Sequence, residues 1–330
     1  MNEHLIKLYG TEEPSPPQRA LTAGPVTVTL ENGQLRWIRI GEAEAIRAVA
    51  FLIRDRNWST ATPDITDLII DESGGGFRVT FTARCPTIDG DFVWRGEFTG
   101  SPDGTLTFVG AGAPSGDDFR TGRTGFVILH PLAGVVGGKV KIEHMDASLE
   151  TVRVPEEIVP DQVFVLIRAV SHKPMRGVSA AIRMEGDSWE SEDHRNWTDA
   201  SLKTYCRPLS LPYPYLIGKG EVVRHTVTVK FDGKLPSAPA TAPGPVTVKL
   251  GAASGKMPAV GISVLPEEAK AAAKAVLLVA AAGLQHLNCR VDLRQKGWKK
   301  PLADYAKLAI GTGADVVLEV IIPGQGTPAA

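Results

Sequence analysis

Cysteine is scarce: 330 residues carry only three, Cys85, Cys206 and Cys289. They are far apart, odd in number, and none belongs to a C-x-x-C or Cys/His cluster. A disulfide framework and a structural zinc site are therefore not expected, and neither a metal nor another cofactor is predicted. Charge of one sign is lacking as well. Basic and acidic residues balance to a formal net charge of −1 at pH 7, so no basic stripe is available for a phosphate backbone and nucleic acid is not an expected partner. Long apolar runs are absent too. The most apolar segment, Ala271 to Leu284, is too short to span a bilayer and contains Lys274. The first ten residues show no basic region followed by an apolar one, as a signal peptide would. These absences point to a cytoplasmic protein with no membrane partner. There is no G-x-S-x-G elbow, H-E-x-x-H, Walker sequence or G-x-G-x-x-G after a strand. Any hydrolytic nucleophile is then expected to be water, activated by a carboxylate or histidine rather than replaced by serine.

What is present is a dense polar stretch, Glu192-Asp193-His194-Arg195-Asn196-Trp197-Thr198-Asp199-Ala200-Ser201-Leu202-Lys203-Thr204-Tyr205. Two readings stand side by side. It is either a loop that lines an active site or a long, well-hydrogen-bonded connection. On an extended segment Glu192 and Asp193 point oppositely, so only one of them can face a given ligand. If the stretch lines a site, Asp193→Asn or Arg195→Ala lowers turnover and leaves melting unchanged. If it is a connection, stability falls instead.

Around this stretch the grammar is that of strands. Val26, Val28 and Leu30 alternate with threonines, Asn32-Gly33 turns the chain, and Leu35, Trp37 and Ile38 resume. Phe77 to Ala83 alternates, Asp89-Gly90 turns, and Phe92, Trp94 and Phe98 return. Pro102-Asp103-Gly104 leads into Leu106 to Val109. Further strands are expected at 125–129, 139–142, 163–170, 178–184 and 221–231, and Glu42 to Ile53 reads as either helix or strand. The alternation of 221–231 places His225 on the polar phase. About a dozen strands without a strong helix predict a large antiparallel β-sandwich over residues 1–234.

A Pro/Ala-rich linker follows at 235–245. Over 246–330 the pattern becomes alternating β and α. Strands are expected at 246–250, 259–264, 287–293 and 316–322. One helix should run from Pro266 to Gly283 and another from Trp298 to Ile310. Short connections imply parallel strands with right-handed crossovers. Three parallel strands alone leave a sheet edge and face uncovered, so this segment is expected to be an incomplete (β/α)8 barrel whose chain continues past Ala330.

Candidate chemistry falls at both ends. In barrels the site lies at the C-terminal ends of the strands. Arg290 and Asp292 share a face of one strand with Arg294 at its end, as a site or as a salt-bridged layer. Glu319 lies alone in an apolar run, exposed or aimed at the mouth. His130, closing a strand before Pro131, is a general base or a structural residue. Arg120 and Arg123 could clamp a carboxylate or pair with surface acids. Within the polar stretch Asp193 is the candidate catalytic acid. Glu192, Arg195, Asn196, Trp197, Asp199 and Lys203 are candidate substrate contacts, with Trp197 either stacking on a sugar ring or anchoring the loop.

Several segments resemble one family. They are Leu8-Tyr9-Gly10, Leu35-Arg36-Trp37-Ile38-Arg39, Arg123-Thr124-Gly125-Phe126, Leu129-His130-Pro131, Glu192-Asp193, Arg195 to Ser201, Lys203-Thr204-Tyr205 and Arg290-Val291-Asp292-Leu293. Together they resemble the bacterial D-apionate lactonases. The resemblance runs through nearly the whole chain, with two local departures: His194 stands where glutamine is expected, and Leu202 where phenylalanine is. It implies a β-sandwich joined to a barrel in longer proteins, and hydrolysis of a branched sugar lactone, D-apionolactone, to the open acid during apiose breakdown. Such a reaction requires a positioned water, a base and donors for the developing oxyanion. Two rivals share the architecture: a glycosidase with paired carboxylates, and a non-catalytic carbohydrate-binding sandwich.

Overall fold

A computed structural model describes residues 3–13, 16–236, 247–252 and 254–326. By its contacts the chain divides into two compact units, residues 1–242 and 243–330. From residue 237 on, the Pro/Ala-rich linker expected at 235–245 lies outside the described residues.

Among the described residues the first unit opens with helix α1 (Glu3–Tyr9), and its further regular elements are strands apart from one short 3-10 turn. Strands β1 (Gln18–Ala23), β2 (Val26–Glu31), β3 (Gln34–Ile40) and β4 (Ala43–Asp55) form an antiparallel meander. The Asn32-Gly33 turn has φ of 45° and 68° at its two residues, the left-handed geometry that this dipeptide tolerates. A second meander follows: β5 (Asp64–Ser73), β6 (Gly76–Thr87), β7 (Gly90–Gly100) and β8 (Leu106–Pro114). β9 (Phe119–Pro131) returns to pair with β4. Next come β10 (Lys139–His144), β11 (Leu149–Arg153), β12 (Gln162–Met175), β13 (Val178–Glu185), β14 (Trp189–Asp193), β15 (Ser201–Cys206), β16 (Tyr215–Ile217) and β17 (Val223–Gly233).

The pairings resolve into two antiparallel sheets. One runs β5-β6-β7-β8-β17-β13-β12-β10-β11. The other runs β14-β15-β9-β4-β3-β2-β1. β12 joins them, because its N-terminal half pairs with β14 while its C-terminal half lies between β13 and β10. Aromatic side chains meet between the sheets. Phe51 of β4 stacks on Trp94 of β7 at 4.6 Å, and Phe126 of β9 approaches Phe98 and Phe108. Burial of these rings, together with the aliphatic side chains packed around them, holds the two sheets together.

Several details depart from the sequence expectations. Glu42 to Ile53 is strand, not helix: β4 is central, paired on both sides, and its buried residues alternate through most of its length. Among the described residues of the first unit, seventeen strands replace the expected dozen or so. β5 was missed because it is an edge strand whose residues are mostly exposed and polar. β14 and β15 were missed because they carry the polar stretch itself. His225 is not on the solvent side. It shares its phase with Val227 and Val229, is 2% exposed, and packs between the rings of Phe51 and Trp189.

In the second unit, β18 (Gly261–Val264), β19 (His286–Asp292) and β20 (Asp315–Ile321) form a parallel three-stranded sheet. The expected helix from Pro266 to Gly283 is two short ones, α2 (Ala269–Lys274) and α3 (Val276–Ala281), broken at Ala275. α4 (Leu302–Thr312) begins after Pro301 rather than at Trp298, since proline suits a helix start, and it ends on Gly313 with φ of 70°. The strand expected at 246–250 does not form over 247–250. No helix among the described residues is long and apolar enough to cross a membrane.

Candidate functional site

The polar stretch is a β-hairpin. β14 and β15 pair in register, Glu192 opposite Lys203 and Asp193 opposite Leu202, and a 3-10 turn (His194–Trp197) caps the pair. Strand alternation then sorts the side chains. Ser191 and Thr204 enter the core with His130, while Glu192, Lys203 and Tyr205 line the opposite face of the sheet. That face holds a cavity of about 600 Å³. Leu52 and Arg54 come from β4, Arg123 and Val127 from β9, and His194 and Trp197 from the turn. Trp58, Leu209 and Tyr213 close its rim from adjoining loops.

Glu192 and Lys203 form an ion pair inside this cavity, each largely screened from solvent. The Tyr205 hydroxyl donates to Glu190 Oε1 at 2.7 Å and lies 3.3 Å from Glu192 Oε2. Burial, and then the bond to Glu190, push the Tyr205 phenol upward. Burial lowers Lys203, with Glu192 opposing it. The Arg123 guanidinium lies 3.9 Å from the Tyr205 ring centroid and donates to the Arg207 carbonyl at 3.0 Å. Arg54 donates to the Trp58 carbonyl at 3.1 Å. Trp58 and Tyr213 meet edge to face at 5.2 Å. His194 Nδ1 lies 3.0 Å from Asp199 Oδ2 and 3.3 Å from Ser201 Oγ. An ionised Asp199 only accepts, so Nδ1 carries the hydrogen and Nε2 is the ring's acceptor. Burial, then Lys203, hold this imidazole below its usual pKa.

Not every expected residue belongs to the cavity. Asp193 is 1% exposed. Its carboxylate accepts from Arg195 Nε at 2.9 Å and Nη2 at 2.7 Å, and from the Val159 amide at 3.1 Å. Arg195 continues to the Glu156 and Glu157 carbonyls, and Asn196 Nδ2 donates to the Val159 carbonyl at 2.6 Å. Asp193, Arg195 and Asn196 therefore staple the hairpin to the 155–159 loop, with no oxygen of Asp193 left to act as a base. Burial works to raise the Asp193 pKa, but the bonds from Arg195 and Val159 outweigh it and hold it down. Its stabilisation is present above the ordinary aspartate range and fades as pH falls through the lowered value. Asp193→Asn should cost about 2 kcal/mol, the scale of hydrogen bonds to a charged group. Urea unfolding at pH 7 measures it, and an unchanged midpoint would refute the staple.

His130 lies behind the sheet, 3% exposed. Its Nε2 is 2.8 Å from Thr204 Oγ1. Burial, helped by neighbouring His172, lowers its pKa to about 3, so it neither reaches the cavity nor serves as a base there. Arg123 reaches the cavity; Arg120 is not among the lining residues.

The second unit has its own depression of about 410 Å³ at the C-terminal ends of β18–β20, lined by Glu267, Arg290, Asp292, Arg294 and Trp298 among others. Its expected acids are already paired. Arg294 grips Asp292 with two side-chain bonds of 2.8 Å and lowers its pKa to about 2. Arg290 donates to Glu319 across the β19–β20 register at 2.9 Å, and Glu319 does not line the depression.

The sequence reading missed Arg54, Trp58, Leu209 and Tyr213 as lining residues. A signal was available for Arg54. It follows Leu52 by two at the end of the apolar run Ala48 to Ile53, so it shares that residue's face. Among the described residues no group of three or more His, Cys, Asp or Glu side chains is placed to hold a metal.

Fold and cavity together define a two-unit protein, an antiparallel sandwich with a cation-rich, aromatic-walled pocket followed by a parallel α/β unit. The chain belongs to the D-apionate lactonase family: the family's N-terminal domain pattern matches residues 6–234, and its TIM-barrel domain pattern matches residues 260–330. The D-apionate lactonase of Brucella anthropi is 41% identical over 319 residues, 96% of this chain and 52% of that protein. The chain thus spans about half the length of this curated relative. Among solved structures, a galactose mutarotase-like protein from Lactobacillus casei has a TM-score of 0.45 at 9% identity, covering 66% of this chain and 100% of that one. A beta-arabinopyranosidase has a TM-score of 0.40 at 8% identity, covering 95% and 55%.

Proposed function

We propose that the protein hydrolyses a sugar lactone, D-apionolactone, to the open acid D-apionate in the cytoplasm, and that the sandwich cavity holds the reacting ring. Family membership across both units carries this reading. The cavity supplies the parts the chemistry requires. Glu192 takes a proton from water as its oxygen attacks the lactone carbonyl carbon. Arg54 and Arg123 face the charge that develops on the carbonyl oxygen. Collapse of the tetrahedral intermediate breaks the bond to the ring oxygen. Lys203, whose hold on its proton is weakened by burial, protonates that oxygen and is recharged from Glu192. The product acid releases its own proton to solvent. Three buried, unpaired cysteines accord with a reducing compartment.

The test follows acid release at constant pH from D-apionolactone and a panel of aldonolactones. Base uptake well above the spontaneous rate is expected. Sugar binding without any acid release would favour the non-catalytic sandwich instead.

The parallel unit is, in this proposal, the opening of a (β/α)8 barrel. β20 supports it, because Val316, Val317, Leu318 and Val320 are each about half exposed although they alternate between two faces. In a closed barrel one face packs inward and the other meets helices. Amides of β20 should therefore exchange slowly with deuterium in a polypeptide carrying further barrel strands. Fast exchange there would contradict barrel closure.

A further inference from the structure

The β4–β9 register sets Arg54 directly opposite Arg123. Like charges at facing positions on neighbouring strands repel, and this pair is partly or wholly shielded from water. Arg123 is 8% exposed. The hydrogen bonds described above take both guanidinium groups to backbone carbonyls, which satisfy donors without neutralising charge. Arg123 Nε is buried with no partner at all. Among the lining residues the one carboxylate is Glu192, and Lys203 holds it. His194 adds no negative charge. Three cations thus line the pocket beside one anion; Glu190 and Asp199 are held by Tyr205 and His194 behind the lining, and the remaining walls are imidazole, indole, phenol and aliphatic groups. A neutral ligand would leave that imbalance in place. A ligand carboxylate would correct it, in the planar, two-oxygen form that guanidinium matches best.

We propose that this pocket is a sugar-acid site: it binds the carboxylate of an open-chain polyhydroxy acid between Arg54 and Arg123, in preference to uncharged sugars. Trp58, Trp197 and Tyr213 cover the carbon chain of that ligand, and Glu192 and Lys203 meet its hydroxyls. The inference rests on the reading that the pocket takes a sugar derivative, but it does not require that hydrolysis occur there. Where hydrolysis does occur, the neutral lactone enters a site better matched to its anionic product, so the protein is inhibited by its own product.

Titration calorimetry with sodium D-apionate and sodium D-ribonate, each beside the uncharged alditol of the same carbon skeleton, tests it. The acids should bind, and their affinity should fall as salt is raised. The alditols should bind at least tenfold more weakly. Arg123→Met should weaken acid binding tenfold or more and alditol binding by a much smaller factor. Arg54→Met, at the less buried partner, should do the same, and it keeps the test open if the Arg123 variant does not fold. Equal binding of acid and alditol would overturn the proposal, as would acid binding indifferent to salt or to the arginine substitutions, or no acid binding at all. Lactone hydrolysis without acid binding would remove this inference and leave the lactonase reading intact. Acid binding without hydrolysis would do the reverse.

Discussion

Glu192→Gln should lower kcat for lactone hydrolysis by roughly 10²–10⁴, the range lost with a general base, while KM changes little. Glutamine keeps the size of the side chain and its place opposite Lys203, but it cannot accept a proton from water. The split matters, because a residue that only shaped the pocket would raise KM along with, or instead of, lowering kcat. The choice of Glu192 over other acids follows from position. Asp193 is fully engaged by Arg195 and Val159. His130 sits on the other side of the sheet. Asp292 is held by Arg294 far below the ordinary carboxylate range, which makes it a poor base. Glu319 is paired with Arg290. Glu192 lines the cavity, and its pairing is with a lysine that can itself move a proton. If the Gln variant retains more than a tenth of parental turnover, the base is another group. His194 with its Asp199 partner is then the next candidate, tested by His194→Gln.

Most of the sandwich was legible because period-two alternation and turn dipeptides act locally. Asn32-Gly33 turns the chain where its residue types require, and the turn expected at Asp89-Gly90 falls one residue earlier, at Ile88-Asp89, with Gly90 paired to Thr87. The parallel unit was legible for a related reason, since Pro266, Gly283 and Gly313 punctuate its elements. The pocket was not legible to the same degree. Its hairpin reads as loop because polar residues fill both phases of the strands: Glu192 and Lys203 serve the cavity, while Ser191 and Thr204 serve the core. Arg54 and Trp58 are about 140 residues from that hairpin in sequence and reach it only through the β4–β9–β15 pairing. Non-local register of this kind leaves no trace in composition or spacing. Glu192 and Asp193 show both sides of the matter. Their opposite orientation followed from strand geometry alone, but which of them faced a ligand depended on the sheet's other members. The family was legible through resemblance, not through any isolated motif.

Acid should destabilise the sandwich well before its carboxylates are protonated, because it buries histidines that must stay neutral. His130 and His172 meet edge to face at 5.9 Å between β9 and β12. His130 Nδ1 and both His172 ring nitrogens are buried with no partner in hydrogen-bond geometry. Burial lowers His130 to about 3 and His172 to about 4, with the Ala45 backbone alone favouring the charged form of His172. His225, between the Trp189 and Phe51 rings, is lowered in the same direction by burial. The sign follows from linkage. In the unfolded chain these rings take up protons near pH 6.5, while in the folded chain they resist. Their contribution is therefore complete above pH 6.5 and is lost as pH falls toward the lowered folded values. Between pH 7.5 and 4.5, His130 and His172 should each withdraw roughly 2–3 kcal/mol, a large share of the ~5–15 kcal/mol that stabilises a typical domain. Urea unfolding across that range reads the slope directly. His172→Leu should flatten the slope by about 1.4 kcal/mol per pH unit below pH 6, one proton's worth. A parental slope in the leucine variant would show that the buried pair does not set the acid limit of the fold.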